Sequence, residues 1–383
     1  MTVPFQSKLP DTGTTIFTVM SAMAREYAAI NLSQGFPNFD VDQELKELVH
    51  EYIRTGHNQY APLAGVPELL EVLSGKIGSL YDARLEADRE ITITAGATQA
   101  IFTAIASVVH PGDEVIIFDP SYDSYAPSVK TLGGIPVPVV MHPPSFRIDW
   151  DEVRQAITDR TRMIIINSPH NPAGKVFREE DITALKEIVA SHPVFLLSDE
   201  VYEHLVFDGL PHLSILRYPE LYARSFVVFS FGKTLHATGW KLGYCVAPPD
   251  LTNEFRKVHQ FNVFCVNRPI QHAIAAYFRN PETYLSIPAF YQVKRDLFAQ
   301  MMQETRFRMI PAEGSYFMLA DYSEISQKDD MAFTRELVRE HGVAAIPLTP
   351  FYSSPPGGQR IIRFCFAKTN DLLEEAAGIL AKV

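Results

Sequence analysis

Phe226-Val227-Val228-Phe229-Ser230-Phe231-Gly232-Lys233-Thr234 is the stretch from which the fold can be read. Four apolar residues of strand-forming type run directly into a serine, a glycine and a lysine. A strand that is apolar at every position is buried on both faces, as in a parallel sheet covered by helices. Runs of similar length recur upstream: Ile91-Thr92-Ile93, Val115-Ile116-Ile117-Phe118, Ile135 to Val140, Met163-Ile164-Ile165-Ile166 and Val194-Phe195-Leu196-Leu197. Longer helical stretches separate them. That alternation predicts an α/β fold, a large domain whose mostly parallel central sheet is sandwiched by helices.

On either side of this block the pattern differs. The first forty or so residues alternate polar turns with short apolar pieces such as Asn31-Leu32-Ser33-Gln34-Gly35-Phe36-Pro37, and read as an arm and loop. Leu45, Leu48, Val49 and Tyr52 recur at three- and four-residue steps, which predicts a helix over 41–55. From about Pro281 a helical segment through Lys294 to Met302 leads to a strand at Gly314 to Leu319, a helix near Asp330 to His341, a strand at Ile361 to Phe366 and a last helix from Asp371. This is a smaller α+β domain, expected to pack with the N-terminal arm. The expected division is 1–45 for the arm and part of the small domain, 46–285 for the large domain and 286–383 for the small C-terminal domain. Ser353 to Gly358 reads as a flexible loop.

With 383 residues, 46% hydrophobic and 21% charged, the chain is an ordinary globular protein rather than a disordered or fibrous one. Its 34 Lys plus Arg against 45 Asp plus Glu give a net charge of -11, which opposes binding to nucleic acid or an anionic membrane. Cys245, Cys265 and Cys365 lie far apart, so no disulfide framework or zinc site is suggested, and a reducing cytoplasm fits best. The start lacks a basic segment followed by an apolar run. An unbroken apolar run such as Ala273 to Phe278 is far below the ~20 residues of a membrane span.

In open parallel sheets ligands bind beyond the carboxyl ends of the strands, and four strand ends here carry chemistry. Thr94-Ala95-Gly96-Ala97-Thr98 opens a helix with small residues and free N–H groups, which suits a phosphate; a plain turn is the alternative. Asn171, between Pro169 and Pro172, offers an amide to a ligand oxygen, although Asn-Pro alone is usually a turn. Asp199 closes an apolar run, where a carboxylate needs a cation or dense hydrogen bonding, and Tyr202 follows as if from a helical first turn; a solvated loop Asp is the alternative. At Ser230 to Tyr244 three readings compete. A P-loop would need glycine at position 227, where the chain has Val227. Ser230 and Lys233 satisfy S-x-x-K, but without the K-T-G or S-D-N partners of penicillin-interacting enzymes. A Schiff-base lysine, with Ser230 and Lys241 as phosphate ligands, accounts for the other three strand ends as well.

The ordered set Asn171 to Gly174, Asp199 to Tyr202, Ser230 to Lys233, Gly239 to Gly243 and Arg363 resembles the class I pyridoxal-phosphate aminotransferases of fold type I over nearly the whole chain. Leu32 to Phe39, Gln59 to Leu69, Phe118 to Pro127, Ser198 to Phe207 and Ile361 to Lys368 look most like the kynurenine and glutamine aminotransferase branch, the bacterial methionine aminotransferases above all. The resemblance implies pyridoxal 5'-phosphate as cofactor, with Lys233 as Schiff-base lysine and general acid and base. It implies Asp199 on the pyridine nitrogen, Tyr202 and Asn171 on the ring 3'-oxygen, and Tyr122 stacked on the ring. Gly96, Ala97, Thr98, Ser230 and Lys241 would hold the phosphate, with Tyr60 reaching in from a second subunit of a homodimer. Many family members have Arg where Lys241 stands, but the branch named also uses Lys, which forfeits bidentate geometry. Arg363 would bind the substrate α-carboxylate with Gly35. Phe17, Tyr60 and Phe264 would line an apolar side-chain pocket.

The leading expectation is therefore an aminotransferase passing the amino group of methionine, or another neutral or aromatic amino acid, to a 2-oxo acid. A cysteine-S-conjugate β-lyase would share every residue named. A Ser230/Lys233 acyl-transferase and the aminotransferase-like half of a transcription regulator are the more distant alternatives.

Overall fold

The computed structural model describes residues 6–383, so the first five residues of the expected arm lie outside the described residues. The arm is not a bare loop. Ile16–Glu26 is a helix whose N-cap Thr15 accepts from the Thr18 amide, and it buries Met20 and Ala24. Its apolar stripe is too short to announce itself; packing against the C-terminal part of the chain is what makes it pay off as a helix. Beyond it, β1 (Ile30–Asn31) pairs in parallel with Val343–Ala344, and Leu32 O accepts from Cys365 N at 2.8 Å. The next helix, Gln43–Arg54, sits where Leu45 and Tyr52 predict it, capped by Asp42.

Seven strands form the large sheet: β2 (Ile91–Thr94), β3 (Glu114–Asp119), β4 (Ile135–Val140), β5 (Thr161–Asn167), β6 (Phe195–Asp199), β7 (Ser225–Ser230) and β8 (Gly243–Val246). Their spatial order is β2-β8-β7-β6-β5-β3-β4. All but β8 run in one direction, as the continuous apolar runs predict, and β8 lies antiparallel to both of its neighbours. Sequence reading takes this segment as a ligand loop only, because Gly243-Tyr244-Cys245-Val246 is short and opens on glycine. Its strand character comes from insertion between β2 and β7, a long-range pairing that local pattern does not encode. One consequence matters for function: the N-terminal end of β8 lies at the edge where β2 and β7 end.

One face of the sheet packs the helix Ala97–Val108 through Ala100, Ile101, Ala104 and Ile105 against residues such as Ile165, Leu197 and Val228. The small sheet contains β9 (Arg308–Ile310) and β10 (Phe317–Asp321); β11 (Val343–Ala344) is the partner of β1, and β12 (Ile346–Pro347) and β13 (Ile361–Cys365) complete it. Its order is β12-β13-β10-β9, antiparallel throughout, with Arg363 opposite Leu319 on one side and Ile346 on the other. The helix Asp330–His341 and the last helix, Asn370–Leu380, cover it. No helix of the described residues is long and apolar enough to cross a membrane.

Candidate active site

A cavity of about 480 Å³ opens at the carboxyl edge of the large sheet, closed on its far side by the arm and the small sheet. Thirteen sequence-predicted residues line it: Phe17, Gly35, Gly96, Ala97, Thr98, Tyr122, Asn171, Asp199, Tyr202, Ser230, Lys233, Lys241 and Arg363. Tyr60 and Phe264 do not. They pack edge-on against each other with ring centroids 5.2 Å apart, and stand 78% and 48% exposed on the same chain's surface.

One end of the cavity is built for a dianion. Gly96 is the N-cap of Ala97–Val108 at φ 78, ψ 168, a region only glycine adopts without strain, and no side chain caps the first amides. A methyl group on Gly96 would lie 3.4 Å from Lys241 Nζ, so the ammonium sits directly over this turn. Lys241 itself is left-handed at φ 55, which swings its side chain back across the sheet edge. Beneath, Gly243 leaves no room for a side chain: a Cβ would meet Phe229 O at 2.6 Å and Ala97 N at 2.9 Å. Free N–H groups, the positive end of a helix, a lysine and the Ser230 hydroxyl together fit a phosphate.

At the other end Asp199 is buried, and its Oδ2 accepts from Tyr125 OH at 2.6 Å. Burial pushes its carboxyl up to about 6, with the Tyr125 hydrogen bond opposing. A carboxylate held there fits a protonated ring nitrogen, which would supply the missing charge partner. The turn that carries it is hydrogen-bonded, Glu200 O accepting from Glu203 N and Tyr202 O from Leu205 N, rather than a helical first turn. It is pinned from behind by Lys76 Nζ on Glu203 Oε1 at 2.5 Å, a buried ion pair that Tyr81 OH also joins.

Lys233 lies between these ends. Its Nζ donates to Tyr316 OH at 2.8 Å and reaches Gly35 O at 3.3 Å; Ser230 is not its partner, so the acyl-transferase pairing does not form. Burial pulls the amine down to about 8, and the charges of Arg363 and Lys241 push the same way. Desolvation is the main cause, and the Lys241 charge at the phosphate end adds only the least of the contributions.

Arg363 is wholly buried in β13, where all five residues are buried on both faces. Its Nη1 donates to Asn171 Oδ1 at 2.7 Å and Nη2 to Ser33 O at 3.2 Å, and the guanidinium lies 3.7 Å from the centre of the Phe317 ring. Its Nε has no partner, and no salt bridge to a described carboxylate neutralises it. A buried cation held by neutral groups is a receptor for an incoming carboxylate. Asn171 therefore orients Arg363 in addition to facing the cavity. Tyr125, Tyr316 and Phe317 were not singled out from sequence. Tyr125 and Tyr316 stand within quoted or strand-like stretches, yet only the folded geometry shows which side chain each one meets.

Residues 28–380 match the family described as Aminotransferase class I and II. The chain is 50% identical over 373 residues to methionine aminotransferase of Escherichia coli, covering 97% of this chain and 96% of that one. It is 31% identical over 410 residues to kynurenine–oxoglutarate transaminase of Dictyostelium discoideum, with 97% and 94% covered. Among solved structures it superposes on an Escherichia coli protein described by its methionine aminotransferase function, with a TM-score of 0.97, 49% identity and complete coverage of both chains. The chain belongs to the class I and II aminotransferases. It is a fold type I transaminase that uses pyridoxal 5'-phosphate, acting on an amino acid and a 2-oxo acid.

Proposed function

We propose that this aminotransferase takes the amino group of methionine, or of another neutral or aromatic L-amino acid, and passes it to a 2-oxo acid. The observation that carries the reading is the charge inventory of the cavity. Its lining cations are Lys233, Lys241 and Arg363. If Lys241 serves the phosphate and Lys233 the chemistry, Arg363 alone is left for a substrate carboxylate. A side-chain carboxylate would then enter an apolar surface of Phe17, Phe36 and Phe317 without a counter-charge, which is costly. A thioether or aromatic side chain would bury apolar area there instead. The 50% identity to methionine aminotransferase of Escherichia coli supports methionine first.

In this reading Gly96, Ala97, Thr98, Ser230 and Lys241 bind the cofactor phosphate, Asp199 its ring nitrogen, Tyr202 and Asn171 its ring oxygen, and Tyr122 its face. Once bound, pyridoxal phosphate supplies an electron-accepting ring conjugated to the substrate nitrogen. Arg363 and the Gly35 backbone orient the α-carboxylate, and Lys233 Nζ removes and returns the proton at the substrate Cα. The work is divided between a large domain, 46–285, and a small one, 286–383 with the arm 1–45. Two copies pair so that Tyr60 and Phe264 of each, exposed on their own chain, complete the side-chain pocket of the other. Three free cysteines suit a cytoplasmic home.

The test is the absorbance of the cofactor-loaded protein with L-methionine and no oxo acid, beside Lys233→Ala and beside L-aspartate. Bleaching of the yellow colour by methionine, absent in Lys233→Ala and slow with aspartate, is expected. A wild-type protein that bleaches with aspartate but not with methionine refutes the substrate assignment.

A further inference from the structure

Three segments remote in sequence meet at the Lys233 amine. Gly35 comes from the arm, Tyr316 from the turn that enters β10, and Lys233 from the turn that leaves β7. Tyr316 OH lies 2.5 Å from Gly35 O and 2.8 Å from Lys233 Nζ, and Nζ is itself 3.3 Å from Gly35 O. Proton counting fixes the direction of each bond. A carbonyl can only accept, so the single phenolic proton goes to Gly35 O, and the phenolic oxygen must accept from the lysine. A neutral amine has two N–H groups and one lone pair. Seen from Nζ the two acceptors lie much closer together than two N–H bonds can point, so one N–H is shared between Tyr316 and Gly35, and the second N–H and the lone pair are left without a protein partner, free for the cavity that Lys233 lines.

The geometry points to Tyr316 as a positioning residue that docks the free amine of Lys233 beside the Gly35 carbonyl and leaves its lone pair free to meet the substrate Cα. The inference rests on the transaminase roles proposed above. In the step it serves, the Cα–H bond breaks, the proton arrives on Nζ and the bonding pair stays with the substrate, where a bound pyridoxal phosphate would stabilise it. A lysine freed from the cofactor has a long flexible stem and would otherwise sample many rotamers, each with its lone pair elsewhere. Tyr316 is suited to hold it because it cannot move. It has no exposed surface, and its ring is wedged edge-on between Tyr202 at 5.2 Å and Phe317 at 4.9 Å. Gly35 is as tightly placed, since a Cβ on it would lie 2.5 Å from the Phe317 ring. This role is separate from that of the exposed Tyr60, which lines no part of its own chain's cavity.

Two readouts on Tyr316→Phe test the idea, one of them independent of turnover. In cofactor-free protein, limiting amounts of an amine-acylating reagent are applied across a pH series and the Lys233 peptide is quantified by mass spectrometry. The wild-type midpoint is expected near the amine's lowered value of about 8. Loss of an acceptor that favours the ammonium form moves the variant's midpoint down by roughly one pH unit. A ring-fluorinated tyrosine at position 316, a weaker acceptor of the same shape, moves it the same way by less, which covers the case of a Phe variant that fails to accumulate. In loaded protein, the half-reaction with L-methionine slows by roughly 10- to 100-fold and its α-deuterium isotope effect rises, with cofactor content unchanged. An unmoved labelling midpoint, or a rate loss with an unaltered isotope effect, overturns the docking role. If wild-type protein leaves methionine untouched, the substrate reading fails, and the cofactor-free labelling still decides for or against Tyr316.

Discussion

Arg363 and Asp199 are buried ionisable groups without an ionic partner, and each makes a prediction. Arg363 reaches out through a planar fork already oriented by Asn171 and by the Phe317 ring face. Lysine keeps the charge and loses the fork and the stacking, so Arg363→Lys is expected to lower kcat/KM for L-methionine by roughly 100- to 1,000-fold, chiefly through KM. Steady-state kinetics with a fixed oxo acid checks this, and a change under tenfold counts against the assignment. For Asp199 the sign follows from linkage. Its carboxyl is raised by burial from 3.8 to about 6, so the folded chain holds the proton more tightly than the unfolded chain does. Without cofactor, the contribution of Asp199 to stability is then greatest below about pH 4 and is lost as pH rises through about 6. Cofactor-free Asp199→Asn should melt a few degrees above wild type at about pH 7.5, with the gap closing toward about pH 4, while the cofactor-loaded variant loses the half-reaction. Calorimetry on the two cofactor-free proteins at both pH values decides it.

At the scale of elements, the phosphate cradle depends on two glycines that face each other across a helix terminus and a strand start. Gly96 occupies a glycine-only backbone region, and alanine there costs about 1–3 kcal/mol in strain. Gly96→Ala is expected to stay folded and lose cofactor affinity by roughly tenfold or more, measured by equilibrium dialysis. Gly243→Ala places a methyl group against Phe229 O and Ala97 N, both backbone atoms that cannot rotate aside. It should cost about 1–3 kcal/mol of stability and displace the first amide of the cradle, so cofactor retention and melting temperature fall together. A Gly243→Ala protein with wild-type affinity and stability would mean that the strand shifts freely there.

The whole molecule is expected to be a pair of chains with shared sites, since Tyr60 and Phe264 pack on each other at an exposed surface and Phe261 stands 88% exposed. Mixing tests this more sharply than size does. Lys233→Ala and Tyr60→Ala proteins, each impaired alone, are unfolded or salt-dissociated together and reassembled. Each hybrid then has one site with both residues intact, so random pairing restores about a quarter of wild-type activity. No recovery in a mixture proven to contain hybrids would place Tyr60 in its own chain's chemistry or in none.

What was legible in the sequence was whatever depends on neighbours along the chain. Continuous apolar runs announced the buried parallel strands, and small or charged residues closing those runs marked the cavity edge, so Lys233, Asp199, Ser230 and Gly96 could be placed by position alone. Arg363 was legible as a charge on an otherwise apolar strand. The helix at Ile16–Glu26 and the antiparallel β8 were not, because one acquires its helical stability from packing and the other its pairing from strands far away in sequence. The partners within the site were hidden for the same reason. Nothing local tells that Tyr125 meets Asp199, that Tyr316 meets Lys233, or that Phe264 turns away from the cavity of its own chain. Side-chain hydrogen bonds between remote segments are decided only when the two sheets and the arm close on one another, and the order of residues determined by itself which groups would be there to meet.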